Sequence, residues 1–278
     1  ENGLNGQDGF LSAFHKATGE YVMCMPITDS YFSNSWFTKC VNILDNNKDI
    51  SLVHGVSIHN NNLDEKYFGT TSLTTPPSGI DFLPFWLSTY FAFGEHTYCV
   101  KRSVYKKCLK EPIPEDFKDF ILNYDVKSIN KSDHFFNFCL HFVYNFNVMG
   151  YLSKFVPTIA ALVRINEDQE SFRRKKIDGI TAEFYTYLIR KYKNSLMTKK
   201  TNHVFRNSEG KIIKTLMGKE LKILAKEITT YRLFNTMYFS YKDPVNNFGK
   251  KIEFKIKRFF ARIIRSILLF FPSPKEPI

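Results

Sequence analysis

Residues Tyr21–Ser30 read YVMCMPITDS. Tyr21 to Met25 is a compact apolar run that Pro26 ends, which predicts a buried strand, and Ile27 to Ser30 then form the carboxyl mouth of that strand. Ligands of open α/β sheets bind beyond the carboxyl ends of strands, so Asp29, between the hydroxyls of Thr28 and Ser30, is the first candidate residue. A carboxylate in that place suits a hard divalent cation that in turn holds a phosphate. Thr-Asp-Ser is equally ordinary capping chemistry for a helix that follows.

The flanks extend this unit in both directions. Upstream, Gly9 to Lys16 predicts a short helix closed at Thr18-Gly19. Downstream, Trp36, Phe37, Cys40, Val41 and Leu44 recur at three-and-four spacing and predict a helix over 34–46, and Ile50 to Ser57 (ISLVHGVS) predicts a second strand. The alternation of strand and helix argues for a mostly parallel or mixed sheet. Residues 59–84 are polar, rich in Asn, Thr and Pro, and predict a long loop of a length that is usually functional or disordered. A turn and strand are expected over 90–104, a helix over 133–146 and a strand over 154–164.

Beyond residue 170 the texture changes to long basic helices, expected over 175–199 and 215–240. Residues 1–170 hold 14 Lys+Arg against 19 Asp+Glu, whereas residues 171–278 hold 25 against 8, so the net charge of +12 is an acidic front joined to a basic back. Three regions are expected: 1–170, 171–249 and 250–278. In the last, Lys251, Lys255, Arg258, Arg262 and Arg265 share one face, and Ile252, Ile256, Phe259, Ile263 and Ile267 another. Such a basic amphipathic helix over 250–271 fits an anionic membrane surface, and its charges exclude a transmembrane span. A nucleic-acid protein usually spreads its basic footprint over the domain that reads, and no reader motif is present, so nucleic acid is not an expected partner.

Hydrophobic residues at 44% and charged ones at 24% are ordinary globular usage, while 28 Phe and 15 Tyr make the chain unusually aromatic. Five cysteines without a CxxC pair or zinc spacing read as reduced, mostly packed thiols of a cytosolic protein. No apolar leader opens the sequence, so a cytoplasmic protein peripheral at the inner face of a membrane is the expectation.

Several segments in order resemble the central block of family 2 glycosyltransferases. They are Asp8; Ala17-Thr18-Gly19-Glu20-Tyr21; Thr28-Asp29-Ser30-Tyr31 after the apolar strand; and Asp49-Ile50 leading to Leu52-Val53-His54-Gly55. Further on, Phe93-Gly94-Glu95-His96 precedes a strand and the basic pair Lys101-Arg102. Ser132-Asp133-His134 opens a helix, and the strand from Thr158 ends in Arg164. The resemblance covers about residues 4–172.

That resemblance implies a GT-A-like fold, with a mixed, mostly parallel sheet flanked by helices and followed by a basic helical region. It implies a nucleotide-diphosphate-sugar donor, a divalent cation (Mn²⁺ or Mg²⁺) held by Asp29, and Asp133 as the general base that deprotonates the acceptor hydroxyl. His96 would lie on the acceptor or leaving-group side, with Asp8, Thr28 and Arg164 as substrate-binding positions. The family's first strands, which hold the base, have no counterpart before Asp8, so an N-terminally truncated sheet is expected.

The implied activity is inverting transfer of a sugar to a saccharide or lipid-linked saccharide acceptor, in cell-surface polysaccharide or glycan synthesis. The absent counterpart of the family's first strands, and Thr28 in place of the first Asp of its pair, leave an alternative open: an inactive relative serving as a membrane-docking or partner-binding module. From the residues alone, Asp133 also suits a helix N-cap, His96 a packed turn histidine, Asp8 a surface acid, and Arg164 a partner for Glu167 or Asp168.

Overall fold

The computed structural model describes residues 12–25, 29–31, 34–60, 69–70, 76–116, 120, 138–164, 175–198 and 201–239. A helical turn over 12–16 leads to strand β1 (Tyr21–Val22), then β2 (Ser30–Tyr31) and helix α1 (Ser35–Asn46). Trp36, Cys40 and Leu44, each four residues apart, form the buried stripe of α1, while Phe37 stays exposed. Strand β3 (Ile50–Asn60) follows and runs further than the apolar pattern alone predicts. The short strand β4 (Gly69–Thr70) pairs with the end of β3.

Helix α2 (Phe82–Thr89) begins inside the segment expected to be loop. Residues Phe82 to Ser88 are all buried, so no polar face produces the helical period that sequence reading depends on. It ends at Tyr90, whose φ of 57° turns the chain out and lets its N–H donate to the Trp86 carbonyl. Strand β5 (Tyr98–Lys101) passes directly into helix α3 (Arg102–Lys110). Helix α4 (Phe138–Val148) and strand β6 (Leu152–Arg164) complete the front half. Helix α5 (Lys175–Thr198), the hairpin β7 (His203–Arg206) and β8 (Ile212–Leu216), and helix α6 (Lys219–Phe239) make the back.

The sheet is mixed and curled, in the order β1-β5-β3-β6-β2, with helices packed around it. Among the described strands of this sheet β3 and β6 pair in parallel, from Ile50 opposite Leu152 to Asn60 opposite Arg164, and the other pairs are antiparallel. The expectation of a mostly parallel sheet is therefore corrected among the described residues. The chain between β3 and β5 passes through β4 and α2 and re-enters the sheet in the reverse sense, and β2 meets the far end of β6 antiparallel, so the alternation of strand and helix does not by itself impose parallel pairing. One register shift, between Ile50 and Leu52, lies at the amino end of β3, and others between His54 and Ser57 bend the strand toward its carboxyl end.

The change of charge near residue 170 is not a change of packing. One continuous core joins Trp36, Leu52, Trp86 and Phe142 to Phe184, Leu188, Leu196, Phe205 and Leu224. The Trp86 indole N–H donates to Tyr185 Oη at 2.9 Å, and the Tyr185 hydroxyl donates to the Phe91 carbonyl, which ties α5 to the segment after α2. The hairpin docks through Gly150, whose φ of +76° and lack of a side chain admit the Val204 carbonyl. Segment 250–271 lies outside the described residues. Among the described residues, no helix is long and apolar enough to cross a membrane.

Candidate functional site

Both residues flanking the candidate site are positioned by strands at the same end of the sheet. Ser30 of β2 pairs with Leu162 near the carboxyl end of β6, which fixes Asp29 there. On the other side, Glu95, His96 and Thr97 form a single 3₁₀ turn before β5. The Thr97 N–H and Oγ1 both bond the Gly94 carbonyl, at 2.9 and 2.8 Å. The His96 ring lies against Gly94, where an added Cβ would stand 3.2 Å from Nε2.

These two pieces of chain bring Asp29 and His96 together. Asp29 Oδ2 is 3.4 Å from His96 Nδ1, and the side chains are only 5% and 14% exposed. A cleft of about 300 Å³ opens beside His96 and Thr97, with Gly55 to Ser57 of β3 as its floor and Phe91 and Phe155 among its walls. At Gly55 a Cβ would lie 2.6 Å from the Thr158 carbonyl and 3.0 Å from the Trp36 ring, so β6 and α1 close on β3 only because that side chain is absent.

Three further residues belong to this cluster and escape sequence reading. The Cys139 thiol donates to Glu95 Oε2 at 2.8 Å. Burial first, then the carboxylates of Glu95 and Asp29, push the Cys24 thiol up to about 12, so Cys24 stays protonated at neutral pH. Glu95 stands next to His96 in sequence, and an acid directly before a histidine at a strand mouth is the available signal. Cys24 and Cys139 carry no such signal, because only the fold brings them within reach of Glu95. All five cysteines are unbridged and four are buried, as packed thiols should be.

His54, immediately behind the cleft, is fully enclosed. The Phe93, Phe155, Phe82 and Phe91 rings lie 4.6, 5.2, 6.0 and 6.0 Å from it, and burial holds its pKa down to about 3. It is thus a neutral wall of the aromatic cluster and not a base at neutral pH. Arg164 closes β6 opposite Asn60, at the same end of the sheet as Asp29. Asp8, Thr28 and Asp133 lie outside the described residues.

A second cleft, of about 390 Å³, opens at the opposite end of the sheet. There Lys48, Lys101 and Lys107 face Glu20, Asp45 and Glu209, and Lys101 Nζ donates to Ser208 Oγ at 3.1 Å. Its charges answer one another, which makes it a poor anion site.

Among the described residues, no three His, Cys, Asp or Glu side chains are grouped so as to hold a metal ion by themselves. What Asp29 offers is one hard oxygen ligand with an imidazole at its side. That donor set fits a cation whose other ligands come from a phosphate substrate, because Mg²⁺ is commonly held by one or two carboxylates plus substrate oxygens. Compared with known proteins, the chain matches no family model and no curated protein sequence.

Proposed function

We propose that this protein is an inverting glycosyltransferase with a GT-A-like sheet. It would move a sugar from a nucleotide-diphosphate donor to a saccharide or lipid-linked saccharide acceptor in cell-surface polysaccharide or glycan synthesis. The observation that carries the reading is the meeting of Asp29 and His96 beside an aromatic-walled cleft at the carboxyl end of the only parallel strand pair among the described residues. The two belong to separate segments of the family resemblance, and they fall where α/β sheets bind ligands.

In this reading Asp29 holds a Mn²⁺ or Mg²⁺ ion, and the ion supplies neutralisation of the charge that develops on the diphosphate leaving group. His96 orients the Asp29 carboxylate and, as a donor at the cleft rim, faces the leaving-group side. The faces of Phe91 and Phe155 pack against the apolar face of a sugar ring. Asp133, carried over from the resemblance, takes the proton of the acceptor hydroxyl as it attacks the anomeric carbon from the opposite side. Asp8, Thr28 and Arg164 contribute donor and acceptor contacts, and the basic segment 250–271 holds the enzyme at the cytoplasmic face of a membrane.

The test is sugar transfer and nucleotide-sugar hydrolysis with Mn²⁺, read for D29N, D133N and H96A. D29N and D133N should each lose at least about 10²–10³-fold in kcat/KM with little change in Tm. H96A should raise the Mn²⁺ concentration needed for half-maximal activity by about 10–100-fold, as loss of an orienting partner does. Full turnover by D29N and D133N sinks the assignment. If the wild-type chain is neither active nor stabilised by any nucleotide-sugar in thermal melts, it is a binding module and not an enzyme.

A further inference from the structure

Helix α6 presents two unlike faces. Leu221, Leu224 and Ile228 are buried against the core, whereas Lys219, Lys222, Ile223 and Lys226 repeat at three-and-four spacing on the opposite, exposed side. The strand before it adds the adjacent pair Ile212 and Ile213, which point to opposite faces of β8 so that one of them extends the surface of α6, and the intervening turn adds Met217. These four apolar residues are 40–56% exposed, and among the described residues they make up most of the exposed large apolar side chains. Between residues 211 and 227 there are five lysines and two acids, Glu220, which Lys214 answers at 3.8 Å, and the half-buried Glu227, so the surface keeps an excess of positive charge.

Exposed lysines alone are a solvated face, and exposed isoleucines alone are common. Their coincidence along 211–226 is the arrangement that binds anionic phospholipid: apolar side chains enter the headgroup boundary while lysine stems lie along them and the ammonium groups meet phosphates. We infer that the outer face of β8 and α6 is a docking surface for an anionic phospholipid bilayer, distinct from segment 250–271. The charge complementarity selects lipid over an apolar protein partner, which would leave these lysines to be desolvated without acids opposite them. The inference extends the membrane part of the proposed function and does not depend on its chemistry.

Docking there has a consequence for the candidate site. Helix α6 packs on α2, with Tyr231 edge-on to Phe85 at 5.7 Å, and α2 leads through Tyr90 to Phe91 in the cleft wall. A bilayer held by α6 is therefore held in a set orientation to the cleft, which suits an acceptor that is itself anchored in lipid.

The test uses the full chain and sedimented vesicles of phosphatidylcholine, alone or mixed with phosphatidylglycerol. Wild type should bind the mixed vesicles far better than the neutral ones, and K219Q/K222Q/K226Q should bind them on the order of 100-fold more weakly, at about fivefold per cation. Because Trp36 and Trp86 are fully buried, I223W adds an exposed indole whose emission should shift to the blue on mixed vesicles. Unchanged binding by the triple variant, equal binding to neutral vesicles, or an unmoved I223W emission while the chain is vesicle-bound each overturns the proposal. A blue shift that grows with protein concentration in the absence of lipid would assign the face to a second copy of the chain and overturns it too. D29N should bind vesicles like wild type, so failure of the glycosyltransferase reading leaves this outcome untouched.

Discussion

At the scale of single residues, His54 concentrates the tension between chemistry and packing. An imidazole enclosed by four phenylalanine rings sits where a charge is poorly solvated, and among the described residues its Nε2 has no hydrogen-bond partner. His203 is held down to about 4 by burial and by the nearby Arg206 charge, although its Nδ1 meets Tyr192 Oη at 2.7 Å. Both groups keep folded-state pKa values below the unfolded value of about 6.5, so the unfolded chain binds more protons in acid. Their contribution to stability is complete above about pH 6.5 and is lost as pH falls toward 4 and then 3. The slope should be about 1.4 kcal/mol per pH unit for each proton taken up. His54→Leu should reduce the slope of unfolding free energy against pH between 4 and 6 by about one proton, measured by urea titration at a series of pH values. An unchanged slope would mean that His54 is protonated in the folded state.

At the scale of elements, two glycines argue in opposite directions. An added Cβ at Gly150 would sit 1.7 Å from the Val204 carbonyl oxygen, at a φ of +76°, so Gly150→Ala should cost on the order of 3 kcal/mol or more and loosen the β7–β8 hairpin. Gly179 lies exposed inside α5, and a Cβ added there would meet nothing within 4 Å, so Gly179→Ala should stabilise by roughly 0.5–1 kcal/mol. Thermal melts of the two variants read both signs. Helices with a clear signal were legible in the sequence: α1 from the spacing of Trp36, Cys40 and Leu44, α5 and α6 as long basic stretches with few Gly or Pro. Helix α2 was not, because burial all round erases its period, nor was α3, which follows Lys101 with no capping side chain to announce it. The β7–β8 hairpin was not read either, although Asn207, Ser208 and Gly210 are turn residues and Asn207 Oδ1 accepts from the Glu209 and Lys211 N–H groups, and the helix expected from 215 took in the end of β8. At the site, the sequence exposed Asp29 and His96 to a reader and placed Glu95 beside His96, whereas Cys24 and Cys139 are linked to them only through contacts between distant elements.

At the scale of the whole molecule, the acidic front and basic back share one core, so the two halves should unfold together. Amide exchange on the full chain should find 51–54 of β3, flanked by β5 on one side and β6 on the other, among the slowest, with α5 protected to a similar degree. Early and separate exchange of α5 would show that the back half opens by itself. The parallel pairing of β3 with β6 also carries a consequence in time. Leu152, the first partner of Ile50, leaves the ribosome about a hundred residues later, which at typical synthesis speeds is on the order of 5–20 seconds. For that interval the strand ISLVHGVS stands in the nascent chain with one long edge unpaired, and Asp29 has no β6 against which to be placed. The cell must keep that edge from other strands until β6 arrives, and the yield of folded protein should be governed by the wait more than by the stability reached at its end.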